Sequence, residues 1–282
     1  MTKIQYTAGK WTPDSNLFTT RREAHGPLAV RNGRTMGATS AYALLGADLA
    51  MPGLATKSPP SATGPGWDAP WAGAGGPGIC FTQDGNQTWV RAHLINGEWG
   101  GSGTNWNNLV PMTSGGNANH KWVEARMKVY LQNFRAFDLN SNGGHNNYWY
   151  ALQYWVQASQ DPWAAPPAAA ANLYSYAPDM IKVTWRLVTV AKPAAGTWLS
   201  SGAATGATPA WVEANAVLVP ATVATIVPDL PNIPANNIPA VLVNNAANVA
   251  GIGGLVYATP PGAPAIPAAA SAYDGTVEIM QD

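Results

Sequence analysis

Beyond Lys192 the chain is punctuated by prolines at positions 193, 209, 220, 228, 231, 234, 239, 260, 261, 264 and 267. Each removes a backbone donor and locks φ, so this density rules out long helices and central strands. Extended segments laid over another surface fit instead, closed by one short strand at Gly275 to Met280. The stretch is otherwise rich in Ala, Val and Asn and carries no periodic core of its own. Residues 193–282 are therefore expected to be a wrapping segment of a single domain whose core lies upstream.

That core should sit in residues 78–192. Gly78 to Leu94 reads as a β-hairpin turning at Asp84-Gly85, a pair that supplies the positive φ angles of a tight turn. Asn96 to Gly116 reads as a long polar loop. A helix is predicted from about Ser114–Asn117 to Leu131, with Val123, Met127 and Tyr130 as its apolar stripe. Asn147 to Gln157 and Met180 to Val190 are aromatic and β-branched runs, expected to be central antiparallel strands. Residues 1–77 show little periodicity and are expected to pack irregularly on the core, with a helix over Thr39 to Ala50 and a loop over Pro59 to Gly76.

Charged residues make up 11% of the chain and formal net charge is zero, which argues for a rigid, loop-rich α+β or β protein. Disordered chains are charge-rich and aromatic-poor, whereas this one carries 13 Trp and 10 Tyr. All 15 Lys and Arg lie at or before Lys192, while five of the 15 acids lie after it, so the front carries +5 and the remainder −5. A mildly basic front permits a polyanionic partner without demanding one. Cys80 is the only cysteine, so no internal disulfide forms. No apolar run suits a signal peptide or a membrane span, so no membrane partner is expected.

Chemistry concentrates between Trp89 and Leu131. Hydrolysing a phosphodiester requires a base for water, a cation beside the phosphate and relief of charge on the leaving oxygen. His93, ending an apolar strand, suits the base, since imidazole is largely neutral near pH 7. Arg91 is expected on the opposite strand face, reaching a phosphate only if the strand end reorients it. Asn117 offers a carbonyl oxygen to a hydrated ion such as Mg²⁺, or alternatively caps the helix. Glu124, at i+7 from Asn117, can hold a metal-bound water, and His120 between them can meet the phosphate or the leaving group.

Four motifs then stand in order: Ala92-His93-Leu94-Ile95-Asn96, Gly100-Gly101-Ser102-Gly103, Asn108-Leu109-Val110-Pro111-Met112-Thr113, and Asn117-Ala118-Asn119-His120-Lys121-Trp122-Val123-Glu124. This pattern resembles the DNA/RNA non-specific endonucleases of the ββα-metal (His-Me finger) fold, in the branch found as bacterial toxin or effector domains. The resemblance implies an α+β fold with a ββα-metal nuclease core on an antiparallel sheet. It implies His93 as general base, Asn117 as the metal-bound asparagine with Asn119 as its rival, and Glu124 as the supporting acid. Asn108 would shape the loop or the metal's outer sphere. The fuller family motif is Asp-Arg-Gly-His, where this chain has Val90-Arg91-Ala92-His93.

The resulting expectation is a metal-dependent, sequence-non-specific nuclease using Mg²⁺ or another divalent cation on DNA, RNA or both. It would be a delivered toxin, cytoplasmic in its producer and exported by a specialised secretion or injection apparatus, with an immunity protein as partner. The alternative is a catalytically inactive, nuclease-like structural or binding component of a phage-like or injection particle. A carbohydrate-binding β module, suggested by Trp, Tyr, Asn and Gly, leaves the His/Asn/Glu pattern unexplained.

Overall fold

A computed structural model of the chain describes residues 3–7, 10–13, 24–31, 34–47, 89–99, 101–139, 148–160, 177–191, 218–220, 237–243 and 254–281. Within them lie strands β1 (Lys3–Thr7), β2 (Lys10–Pro13), β3 (Ala24–His25), β4 (Leu28–Arg31), β5 (Arg34–Ala38), β6 (Ser40–Leu45), β7 (Trp89–His93) and β8 (Leu109–Thr113). Helix α1 (Ser114–Leu139) follows, then β9 (Tyr148–Ala158), β10 (Met180–Ala191), β11 (Leu218–Pro220), β12 (Val241–Leu242) and β13 (Gly275–Met280). The result is a mixed, sheet-rich architecture with one α-helix among the described residues.

The two aromatic runs form the centre of the main sheet. β9 and β10 pair antiparallel without interruption from Ala158↔Ile181 to Tyr148↔Ala191, in strand order β12-β13-β10-β9-β6-β3. Strand side chains alternate between faces. Tyr150, Leu152, Tyr154 and Val156 therefore face one way with Ile181, Val183, Trp185 and Leu187, and Trp149, Ala151 and Trp155 face the other with Val188 and Val190. β13 matches the expected closing strand residue for residue and pairs antiparallel with β10.

Helix α1 covers the first face. Its stripe continues past the predicted end through Phe134 and Phe137, which stack on Tyr150 and Tyr148, so the helix runs to Leu139. Thr113 caps it: Gly116 N–H donates to Thr113 Oγ1 at 2.9 Å, the bond that satisfies a first-turn amide. The cap alternative for Asn117 thus falls away, since Asn117 is already inside the helix.

The second face is covered by the proline-rich segment. Ala263 and Ile266 pack on the Trp149/Trp155 cluster. Trp155 Nε1 donates to Pro264 O (3.2 Å), Gln157 Nε2 to Ala258 O (2.9 Å) and Arg186 Nε to Pro267 O (3.0 Å). Irregular backbone lying against a core needs such donors, because it has no ladder to satisfy its carbonyls.

Three expectations change. Where a helix was expected over Thr39 to Ala50, described as far as residue 47, Ser40–Leu45 is strand β6, lying between β9 and β3, with all six residues buried. Covered on both faces, it is apolar from Ala41 onward, and alternation between Ala41/Ala43/Leu45 and Tyr42/Leu44 is its only strand signal. Residues 24–45 accordingly supply sheet strands where irregular packing was expected. Within the expected polar loop, Leu109–Thr113 is strand β8, which pairs with β7 from Trp89↔Thr113 to His93↔Leu109. The other arm of the expected hairpin, the loop over 59–76 and His145 lie outside the described residues.

Candidate functional site

β7, β8 and α1 follow one another as strand, strand and helix, and the loop after β7 returns to run along the helix. This loop is fastened from within. Asn108, fully buried, accepts from Ile95 N–H (2.9 Å) and donates through Nδ2 to Ile95 O (3.0 Å) and Ser102 O (3.2 Å). That geometry makes Asn108 the shaper of the loop, and its amide is occupied by backbone. Asn107 ties the same loop to the residue after β3 through Gly26 O (2.6 Å), and His25 lies beside Asn108. Gly101 has no room for a side chain: a Cβ there would lie 1.7 Å from Ile95 O.

Three interactions, the first of them purely electrostatic, climb α1 one turn apart. At the first rung, His93 is close enough for its charge to act on His120. At the second, Asn96 Nδ2 donates to Glu124 Oε2 at 2.6 Å, while Asn96 Oδ1 accepts from Glu98 N–H at 2.8 Å. At the third, Glu98 pairs with Lys128. The sequence brings His120, Glu124 and Lys128 to one side of the helix because they stand at i, i+4 and i+8. Asn96 and Tyr154 were missed as site residues. Asn96 stands inside a recognised motif, but its contact with Glu124 spans 28 residues; Tyr154 shows only as a sheet residue on the helix-facing side.

Burial sets the protonation of the rungs. Glu124 is 5% exposed, and desolvation pushes its carboxyl up to about 7 against the pull of the Asn96 hydrogen bond and Lys128. His120 is 2% exposed, and desolvation, with help from His93 and Lys121, lowers it to about 4. Its Nε2 lies 3.1 Å from Tyr154 Oη and 4.0 Å from Glu124 Oε1. The latter separation would allow an ion pair, yet desolvation is the larger effect on both groups. Between about 4 and about 7 both are neutral. His120 is thus placed in the interior against Tyr154, away from the solvent side from which a phosphate would come.

The two candidate asparagines separate by helix geometry. At 100° per residue, Asn117 lies about 20° around the axis from Glu124, whereas Asn119 lies about 140° away. Asn117 and Glu124 share a flank, and Asn119 faces another side, where its Nδ2 is buried without a hydrogen-bond partner. Arg91 needs correction: with unbroken pairing of β7 to β8, Arg91 and His93, two residues apart, lie on the same strand face. The opposite face at this point belongs to Ala92, which is buried.

A divalent cation suits this donor set in one respect. A buried carboxyl with one oxygen held by Asn96 lies two turns along the same helix flank from the Asn117 amide, and hydrated Mg²⁺ needs only one or two protein oxygens. Among the described residues no group of three His, Cys, Asp or Glu converges as a metal cage. No helix among them is long and apolar enough to cross a membrane.

The protein is thus mixed and sheet-rich, with the histidine-bearing end of β7 near a helix flank that carries Asn117 and Glu124. No family model, curated protein or solved structure matches the chain.

Proposed function

We propose that the protein is a metal-dependent nuclease that hydrolyses phosphodiester bonds of DNA, RNA or both without sequence specificity. The observation carrying this reading is the ladder on α1, in which the loop leaving His93 closes on Glu124 through Asn96. The strand–strand–helix order and the four sequence motifs support the same reading.

His93 would take a proton from water as the water oxygen bonds to phosphorus and the bond to the leaving oxygen breaks. Asn117 would hold a hydrated Mg²⁺ or another divalent ion, and Glu124, two turns further along the same flank, would hold one of its waters. Such an ion, when bound, supplies stabilisation of negative charge on the phosphate. Asn96 fixes one Glu124 oxygen and thereby the direction of the other. Arg91, on the His93 side of β7, would hold a phosphate through its planar fork. Delivery as a toxin, with an immunity protein as partner, belongs to this proposal and rests on the motif resemblance.

The test is degradation of plasmid DNA and of RNA by purified protein with and without divalent cation. His93→Ala should slow cleavage by about 10²–10⁴-fold with an unchanged thermal midpoint. Full activity in that variant removes the mechanism. Assembly into large particles, with no cleavage under any divalent ion, would select the inactive structural component instead.

A further inference from the structure

One flank of α1, at the edge of its buried face, carries a regular row of cations. Lys121, Lys128 and Arg135 stand seven residues apart, a spacing that drifts only about 20° around a helix per step. The row lies on the side of Asn117 and Glu124, and covers about 21 Å at 1.5 Å per residue. Lys121 is exposed, Arg135 is half-buried with its Nε in the interior, and neither has a carboxylate within ion-pairing distance among the side chains the structure describes. Lys128 alone is paired, with Glu98, and both side chains remain partly open to solvent, at 40% and 31% exposure.

From this row we propose that Lys121, Lys128 and Arg135 form a track for the phosphodiester backbone of a nucleic-acid strand, leading to the His93–Asn117–Glu124 flank. Glu98 occupies Lys128 until the strand displaces it. The inference rests on the nuclease reading for the identity of its polyanion. Length makes it specific: 21 Å corresponds to about six nucleotides at roughly 3.4 Å each, so the track selects a polymer over a mononucleotide. Charge complementarity commits the face to this occupant, because Glu124, the carboxylate facing this flank within the helix, is buried.

The experiment is fluorescence anisotropy on the full chain, in a His93→Ala background with EDTA, so that binding is read without cutting. Labelled single strands and duplexes of about 3, 6 and 12 nucleotides are the probes, titrated across salt. Affinity should rise steeply up to about six nucleotides and flatten beyond. Lys121→Gln, Lys128→Gln and Arg135→Gln should each weaken binding about three- to tenfold and lower the salt slope by about one. Lys121→Arg should restore both, and Glu98→Gln should tighten binding about threefold. Unchanged affinity and slope in the three Gln variants, or a trinucleotide bound as tightly as a dodecamer, overturns the track. If those variants bind like their parent while the chain with His93 intact still cuts, the track falls and the nuclease reading stands. Track behaviour without cleavage under any divalent ion supports the track and removes the nuclease reading.

Discussion

The two faces of the main sheet are covered in opposite ways. On one, a regular helix buries apolar side chains and also His120, Glu124 and the Tyr154 hydroxyl. On the other, an irregular proline-rich chain meets the sheet, and the polar tips of Trp155, Gln157 and Arg186 each end on one of its carbonyls. Irregular cover demands polar groups to satisfy its backbone, so those groups need no explanation beyond packing. A helix satisfies its own interior backbone, so a carboxyl and an imidazole buried beneath it serve nothing the helix requires. Polar burial is structural on the tail face, and on the helix face it fits the chemistry proposed above.

Breaking the tail face should have the largest effect. Trp155 is fully buried, stacks obliquely with Tyr42 at 5.1 Å and donates to Pro264 O. Trp155→Ala should lower unfolding stability by about 3–5 kcal/mol, read as a fall in the urea midpoint. A loss under about 1 kcal/mol would mean that the tail contributes little cover.

A smaller effect with a revealing sign is expected on the helix face. Glu124→Gln keeps the shape and removes the charge. Because burial raises Glu124 to about 7 in the folded chain, from 4.5 as its ordinary value, the fold above pH 7 carries a charge it resists. The variant should therefore be more stable than its parent at pH 8, on the order of a few kcal/mol, while cleavage falls about 10–100-fold. Gain of stability with loss of activity is the expected mark of a functional group held at a cost. Gln157→Ala, its counterpart on the tail face, should only destabilise, because it leaves Ala258 O without its donor. A Glu124→Gln variant that loses stability at pH 8 would erase the distinction between the faces.

The same contrast explains how much could be read beforehand. β9, β10 and β13 were legible because aromatic and β-branched runs bounded by turn residues leave little choice. Helix α1 was legible from Val123, Met127 and Tyr130, though its last two turns needed Phe134 and Phe137 to be counted with the stripe. β6 was not, because a strand covered on both faces loses the polar half of its alternation. β8 hid behind Pro111, which its two-stranded ribbon tolerates. In the site, residue types and order pointed to His93, Asn117 and Glu124. The interior placement of His120 and the loop-locking by Asn108 depend on contacts with Tyr154 and Ile95 that sequence spacing does not encode. Arg91 was misplaced by its count along the strand, which period two corrects.

The finest test lies in the pH dependence of stability, where the two buried groups oppose one another. Glu124, raised to about 7, contributes stability that is fully present below 4.5 and is lost as pH rises through about 7. His120, lowered from 6.5 to about 4, contributes stability that is present above 6.5 and is lost as pH falls through about 4. Between 4.5 and 6.5 one slope rises as the other falls, so this pair leaves the parent curve nearly level. Each substitution should uncover its partner. In EDTA, Glu124→Gln minus parent should climb with pH across this window by at most about 1.4 kcal/mol per unit, and His120→Phe minus parent should descend by a similar amount. If both difference curves slope the same way, the imidazole and the carboxyl are not neutral together under the helix. Flat differences in both would place these side chains in water and return the helix face to the ordinary condition of its neighbour.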